Sequence, residues 1–287
     1  MSYEWSWLVS AALFFGGLAG GSYVSAFGGY LLNEEKYRNF SKVGYLIAFP
    51  SAILCVLLLA VDLGTPTRFI NIRNMTSMIM LGSIILGFFI LLSLLTIIGS
   101  EESVIFPQIT FVRRTRLILG GISSFFALGT VMYTALLLGA SFGRPFWGTP
   151  LLPYLFLVSG VLSGLAAIGL GLLIREEWRE SITTYKVEMA TSDISFHFLE
   201  LFILILYLGT VNAPTAVEAL ITGDLNSYFI LGVLVIGLII PLILALYSIQ
   251  KKAVSNPLTG FTFALVLIGG FLLRYVIVVG GQIVPSL

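Results

Sequence analysis

Eight runs of mostly apolar residues, each about as long as a bilayer is thick, divide this chain from end to end. They cover roughly Trp7–Leu32, Lys42–Asp62, Ser77–Gly99, Thr115–Ser141, Leu151–Ile174, Ser192–Val211, Ser227–Ile249 and Leu258–Gly280. An α-helix of about 20 such residues crosses the hydrocarbon core, and lipid offers no partner to backbone N–H and C=O groups, so each run must be helical. The breaks between runs carry charges, Pro or Asn, and none is long enough for a soluble domain. The charged fraction is 10%, against about 25% in a soluble domain. The expectation is one all-α integral membrane domain over residues 1–287 with eight transmembrane helices. Met1 to Ser6 lacks a basic segment, so the first run is read as a retained span rather than a cleaved leader.

Orientation follows from the loops. Eleven cations lie in the loops after the odd-numbered spans: Lys36, Arg38, Lys42, Arg113, Arg114, Arg116, Arg175, Arg179, Lys186, Lys251 and Lys252. Three lie on the opposite side: Arg68, Arg73 and Arg144. Positive loops stay in the cytoplasm, which puts both termini on the outer, periplasmic side. Trp5, Trp7 and Trp147 would then mark the outer interface and Trp178 the inner one. A net charge of +1 gives no field for nucleic acid. The chain has one histidine, His197, and one cysteine, Cys55, too few for a bis-histidine haem or a cysteine-held cluster. Electron chemistry here would need a diffusible cofactor or a partner subunit.

A few costly residues stand out against the apolar background. Asp62-Leu63-Gly64-Thr65-Pro66-Thr67-Arg68-Phe69 closes the second span, and an ionised acid deep in a bilayer costs about 3 kcal/mol unless it has a partner or a task. Arg274, about two turns inside the end of the eighth span, either snorkels outward or pairs with an acid, and Asp62 is the nearest by depth. Asp193, His197 and Glu200, spaced four and three apart, share one helical face; they form either a proton relay or a self-satisfied polar cluster. Gly16-Gly17-Leu18-Ala19-Gly20-Gly21 permits close approach of a second helix or of a flat ring, and Ser159-Gly160 with Ser163-Gly164 looks like the same packing device. Tyr133 in the outer half of the fourth span is either a hydrogen-bond donor to a ligand carbonyl or an interfacial belt residue. The Gly-Thr-Pro triplets after the second and fourth spans are either traces of a repeat or ordinary helix stops.

In order along the chain, several pieces resemble the NrfD/PsrC family, the membrane subunits of polysulfide reductase and related respiratory complexes. They are Gly-Gly-Leu-Ala-Gly-Gly in the first span, Asp62-Leu63-Gly64-x-Pro66-x-Arg68-Phe69, and Ser77-Met78. Tyr133-Thr134-x-x-Leu137-Leu138-Gly139-Ala140 follows, then Arg144-Pro145-x-Trp147-x-Thr149-Pro150-Leu151-Leu152-Pro153, then Phe156-x-x-Ser159-Gly160. Arg274 to Gln282 closes the match. The resemblance implies a haem-free anchor in the cytoplasmic (inner) membrane of a prokaryote, binding a quinone (menaquinone or similar) near the outer face. It implies electron exchange with a ferredoxin-like iron–sulfur subunit that serves a molybdopterin catalytic subunit. Some members place Asn and His in the first turns of the first helix. Here that region reads Val9-Ser10-Ala11-Ala12, where Ser10 alone offers a hydrogen bond.

On this reading Asp62 is the acid/base candidate, Tyr133 the donor and Arg274 the stabiliser of charge on the quinone or on Asp62. Ser10, Gly17 and Gly20 complete the cofactor site. Arg68, Arg73, Arg144 and Trp147 would meet the partner, and Asp193, His197 and Glu200 would carry protons. The rival is a small secondary transporter or ion-translocating subunit, which calls for broken helices and acids near the bilayer midplane. In the sequence the helices look continuous and the acids lie nearer the helix ends.

Overall fold

A computed structural model describes residues 5–62, 78–100, 111–141, 143–174, 176–250 and 256–283. The described residues hold eight helices long and apolar enough to cross a membrane, and no strand. In chain order the elements are α1 (Trp7–Leu32), α2 (Arg38–Asp62), α3 (Met78–Gly99), α4 (Arg113–Gly139), α5 (Leu151–Ile174), α6 (Glu176–Thr210) and the short α7 (Pro214–Ile221). A π-helix, Ser227–Ile239, then runs into α8 (Ile240–Gln250), and α9 (Asn256–Gly280) completes the bundle. The chain is a multi-pass membrane protein.

Two departures from the expected spans have physical causes. Helix α6 begins at Glu176, before its membrane-spanning part, Glu188–Thr210. Hydropathy marks only the apolar portion of a helix, and the polar stretch from Glu176 is rich in residues that favour helix without favouring lipid. The seventh span is not a continuous α-helix. Its first half is π-helical, with the Ile240 N–H bonded to the Val235 carbonyl five residues back. Pro241 follows directly. Having no N–H, it cannot bond the carbonyl of Gly237 four residues earlier, and the wider winding accommodates that loss.

The bundle is built around α1, the most buried of the spans. No charged residue falls between Trp7 and Leu32, so every face can meet protein, and α1 packs on α2, α4, α5 and α9. Its glycines allow this. A Cβ at Gly21 would lie 1.9 Å from the Gly160 carbonyl oxygen of α5, and one at Gly164 would lie 2.3 Å from the Gly21 carbonyl carbon. The two small-residue runs noted in the sequence are therefore one contact, backbone against backbone. Gly237 and Gly269 repeat the device between the π-helix and α9.

One end of the bundle is tied by side chains bonded to backbone carbonyls around the end of α9. Trp147 Nε1 donates to the Ile277 carbonyl at 2.8 Å, Arg144 Nη1 to the Gly281 carbonyl at 3.2 Å, and Tyr207 to the Phe146 carbonyl at 2.6 Å. The Trp5 N–H donates to Gln282 Oε1 at 2.9 Å, and Gln282 Nε2 donates back to the Trp5 carbonyl at 3.1 Å. A Cβ at Gly281 would collide with the Trp147 ring. The Arg-Pro-x-Trp and Gly-Gly-Gln motifs, far apart in sequence, thus form a single structural unit.

The glycine contacts predict a sharp contrast. Gly21→Leu forces α1 from α5 and should destabilise the purified protein by about 3 kcal/mol or more, the upper range of overpacking costs. Gly28→Leu, where an added Cβ meets nothing within 4 Å, should leave the melting temperature in detergent unchanged. Equal melting temperatures for the two variants would contradict the α1–α5 contact.

Candidate functional site

Asp62, the last residue of α2, finds its partner at the start of α1. Ser6 caps α1, accepting the Leu8 N–H at 3.1 Å, and its hydroxyl donates to Asp62 Oδ1 at 2.6 Å. The acid therefore sits at the positive end of the α1 dipole, where a carboxylate is favoured, and it is exposed at the bundle end. Tyr133 lies near the same end. Its hydroxyl donates at 2.7 Å to the carbonyl of Met78, the first residue of α3, and its ring fills the space above Gly82. Asp62 and Tyr133 thus bracket residues 63–77. Cys55, two turns below Asp62 on α2, joins them to α1: a Cβ at Gly16 would lie 3.1 Å from Thr134 and 3.2 Å from Cys55 Sγ.

Arg274 lies on the other side of α1, fully buried. Its Nη1 donates to Ser159 Oγ at 2.9 Å and to the Gly270 carbonyl at 2.7 Å, and its Nη2 approaches the Phe156 carbonyl at 3.4 Å. The guanidinium stands between the Phe14 and Phe156 rings, 5.8 and 5.3 Å from their centroids. The expected Arg274–Asp62 pair is not formed: Asp62 is at the α2 end, whereas the acid that acts on Arg274 is Glu200, joined to it through Ser159. Asp62, Tyr133 and Arg274 do not form one site, because α1 stands between them.

Glu200 opens a file of polar groups. Glu200, His197 and Asp193 are all buried on α6, on one face as their spacing requires. His197 Nδ1 lies 2.8 Å from the Asp193 carbonyl and 3.5 Å from its carboxylate. A carbonyl only accepts, so Nδ1 donates to it, while Nε2 has no hydrogen-bond partner among the described residues. A small cavity of about 10 Å3 lies between Glu200, Ser159, Ser163, Gly237 and Gly269. A second, of about 40 Å3, is lined by Asp193, Ser248, Thr259 and Thr262. Ordered water in a protein interior needs two to four polar partners and about 10–15 Å3 of room, which the second cavity supplies. Glu200 lies ten residues, or about 15 Å, from the end of α6 at Thr210, close to mid-bundle. The expectation that the acids lie only near helix ends, on continuous helices, is therefore corrected. Glu200 and Arg274 are deep, and the span facing them is π-helical.

The remaining candidates divide. Ser10 is buried, and its hydroxyl has no partner among the described residues; it is one and two turns from Phe14 and Gly17, on the α1 face that meets Arg274. Gly17 makes room for the guanidinium, since a Cβ there would lie 2.6 Å from Nη2. Gly20 cannot face a flat ring, because Val131 and the Ala127 carbonyl of α4 already fill its surface. Trp147 is 1% exposed, so it is a core residue and not part of a docking surface or an interfacial belt. Arg144 is half-buried over its ring at 5.0 Å. Arg68 and Arg73 lie outside the described residues. Sequence reading passed over Ser159 as a packing residue, Gly82 as the seat of Tyr133, and the π-helical winding before Pro241.

The Arg274–Glu200 arrangement makes a quantitative prediction. Removing one partner of a buried charge pair costs about 3–5 kcal/mol. Arg274→Leu and Glu200→Leu should each destabilise the protein by about that much, and the double variant by less than their sum. Additive losses in a thermal double-mutant cycle would show that the two charges are not coupled.

Residues 1–286 match the family described as "Polysulphide reductase, NrfD". The chain is 30% identical to the C subunit of polysulfide reductase from Wolinella succinogenes, over 97% of its own length and 94% of that protein. It is 32% identical to the NrfD homolog of Haemophilus influenzae, over 55% of this chain and 51% of that one. It is 31% identical to NrfD of Escherichia coli, over 53% and 48%. A family match over nearly the whole length, on a bundle of eight membrane-crossing helices, establishes that this chain belongs to the NrfD family.

Proposed function

We propose that this protein is the haem-free membrane anchor of a respiratory oxidoreductase, one domain over 1–287, in the cytoplasmic membrane of a prokaryote. It binds a quinone, menaquinone or similar, at the bundle end that carries Asp62 and Tyr133. The observation that supports this best is their position: an acid and a phenol from separate helices stand toward the same end of the bundle, one on the residue before and one bonded to the residue after the loop whose motif the family resemblance shares. A bound quinone supplies two-electron, two-proton redox chemistry, which the side chains themselves cannot.

The residues fit that task. Asp62 is exposed, held by one hydroxyl through one oxygen, and able to take or release a proton at the bundle end. The Tyr133 hydroxyl, donating to Met78, still has lone pairs to accept a hydrogen bond. With the Lys/Arg-rich loops in the cytoplasm, this end faces outward, where a ferredoxin-like iron–sulfur subunit would receive or deliver electrons for a molybdopterin subunit. Arg68 and Arg73 belong to the same side.

Arg274 has a different role from the one its sequence position suggests. With Ser10 and Gly17 it closes the mid-bundle end of the Asp193–His197–Glu200 file, which opens toward the cytoplasmic side. Proton transfer along this file would make turnover electrogenic. A carrier acting alone shares the file but leaves Asp62 and Tyr133 without a task.

Asp62→Asn and Tyr133→Phe, in the intact complex in native membranes, should each lower menaquinol-linked electron transfer by about 100-fold or more, the lower end of the range for lost acid–base groups, with the subunits still assembled. Full turnover in both variants would reduce the chain to a structural anchor.

A further inference from the structure

Asp193 on α6, Ser248 on α8 and Thr262 on α9 line one cavity of about 40 Å3, toward the bundle end opposite Asp62. Met189, Ala245 and Phe263 supply part of its apolar wall. The hydrogens of both hydroxyls are already committed. Ser248 donates to the Leu244 carbonyl at 2.9 Å and Thr262 to the Leu258 carbonyl at 2.9 Å, each within its own helix. Both hydroxyl oxygens keep lone pairs to offer. Asp193 is 4% exposed, and its Oδ1 has no hydrogen-bond partner among the described residues. His197 Nδ1 stands 3.5 Å from that oxygen, but its hydrogen goes to the Asp193 main-chain carbonyl at 2.8 Å. Of the residues that line the cavity, Asp193 alone is ionisable.

A buried carboxylate oxygen without a donor is costly, and the two hydroxyls cannot relieve it while helix carbonyls hold their hydrogens. The cavity thus gathers acceptor oxygens from three helices around one acid, an arrangement that suits a cation. Carboxylate and hydroxyl oxygens are hard ligands and select hard ions. A single carboxylate balances a single charge, whereas divalent sites built from protein oxygens draw on several acids. The volume admits an ion with a water beside it. We propose that this cavity binds a monovalent alkali cation, with Asp193 as its charged ligand and Ser248 and Thr262 as neutral ones. Bound there, the ion links α6 to α8 and α9. The site is separate from Asp62 and Tyr133, and it stands whether or not protons pass along the Asp193–His197–Glu200 file.

The test uses the full-length protein in detergent, with sodium chloride replacing choline chloride at constant ionic strength and mildly alkaline pH. Binding is followed by equilibrium dialysis with radiolabelled sodium, and its effect on the fold by thermal unfolding. The expected result is saturable sodium binding and a rise in melting temperature that choline does not give. Asp193→Asn should abolish both. Thr262→Val keeps the shape and the charge but removes one oxygen, so it decides the matter even where the Asp193 variant folds poorly. It should weaken binding about 10-fold or more, the effect of losing even an outer partner of a metal. Ser195→Ala, on an exposed part of α6 two residues from Asp193, lies on another face of the helix and should bind as the wild type. Equal melting in sodium and choline would leave the cavity to water or a proton and overturn the proposal. Sodium binding unchanged in Thr262→Val and Asp193→Asn would overturn it as well.

Discussion

The buried guanidinium of Arg274 is the constraint on which much of this bundle depends. A bare cation at that depth would cost several kcal/mol, and the surroundings answer it group by group. Ser159 and the Gly270 carbonyl accept its hydrogens, Phe14 and Phe156 flank it, Gly17 leaves space for it, and Glu200 supplies the opposite charge. These groups come from α1, α5, α6 and α9. One charge therefore sets the mutual position of four helices, and the glycines of α1 and α5 let those helices approach closely enough to serve it.

The same arrangement separates two groups of polar side chains. On one side of α1, Asp62 and Tyr133 stand near the bundle end, each anchored by a single hydrogen bond to a helix terminus. On the other side, a polar file runs from Arg274 at mid-bundle toward the opposite end through cavities lined by hydroxyls and acids. α1 itself carries no charge from Trp7 to Leu32, and it stands between the two.

Much of this was legible in the sequence. Eight apolar runs gave eight spans because lipid leaves a chain little choice, and the four-and-three spacing of Asp193, His197 and Glu200 placed them on one face because helix geometry is rigid. What was not legible depended on which helices meet. Depth along the membrane paired Arg274 with Asp62, but lateral position pairs it with Glu200, and no periodicity encodes that. Trp147 has the sequence context of an interfacial tryptophan, yet α9 places the Ile277 carbonyl beneath it and buries the ring. The π-helical winding of Ser227–Ile239 ends two residues before Pro241, whereas Pro50 leaves α2 α-helical, so no single residue in the sequence announces it.

The central claim is that electron exchange near Asp62 draws protons through the Glu200 file. The most direct measurement is proton movement during menaquinol-linked turnover of the intact complex in proteoliposomes, with a pH dye trapped on the side that Asp193 faces. The account predicts proton movement on that side with turnover in the wild type, its loss in Glu200→Gln, and none without an electron donor. Protons exchanged only on the Asp62 side, unchanged movement in Glu200→Gln, or flux with no donor present would contradict it.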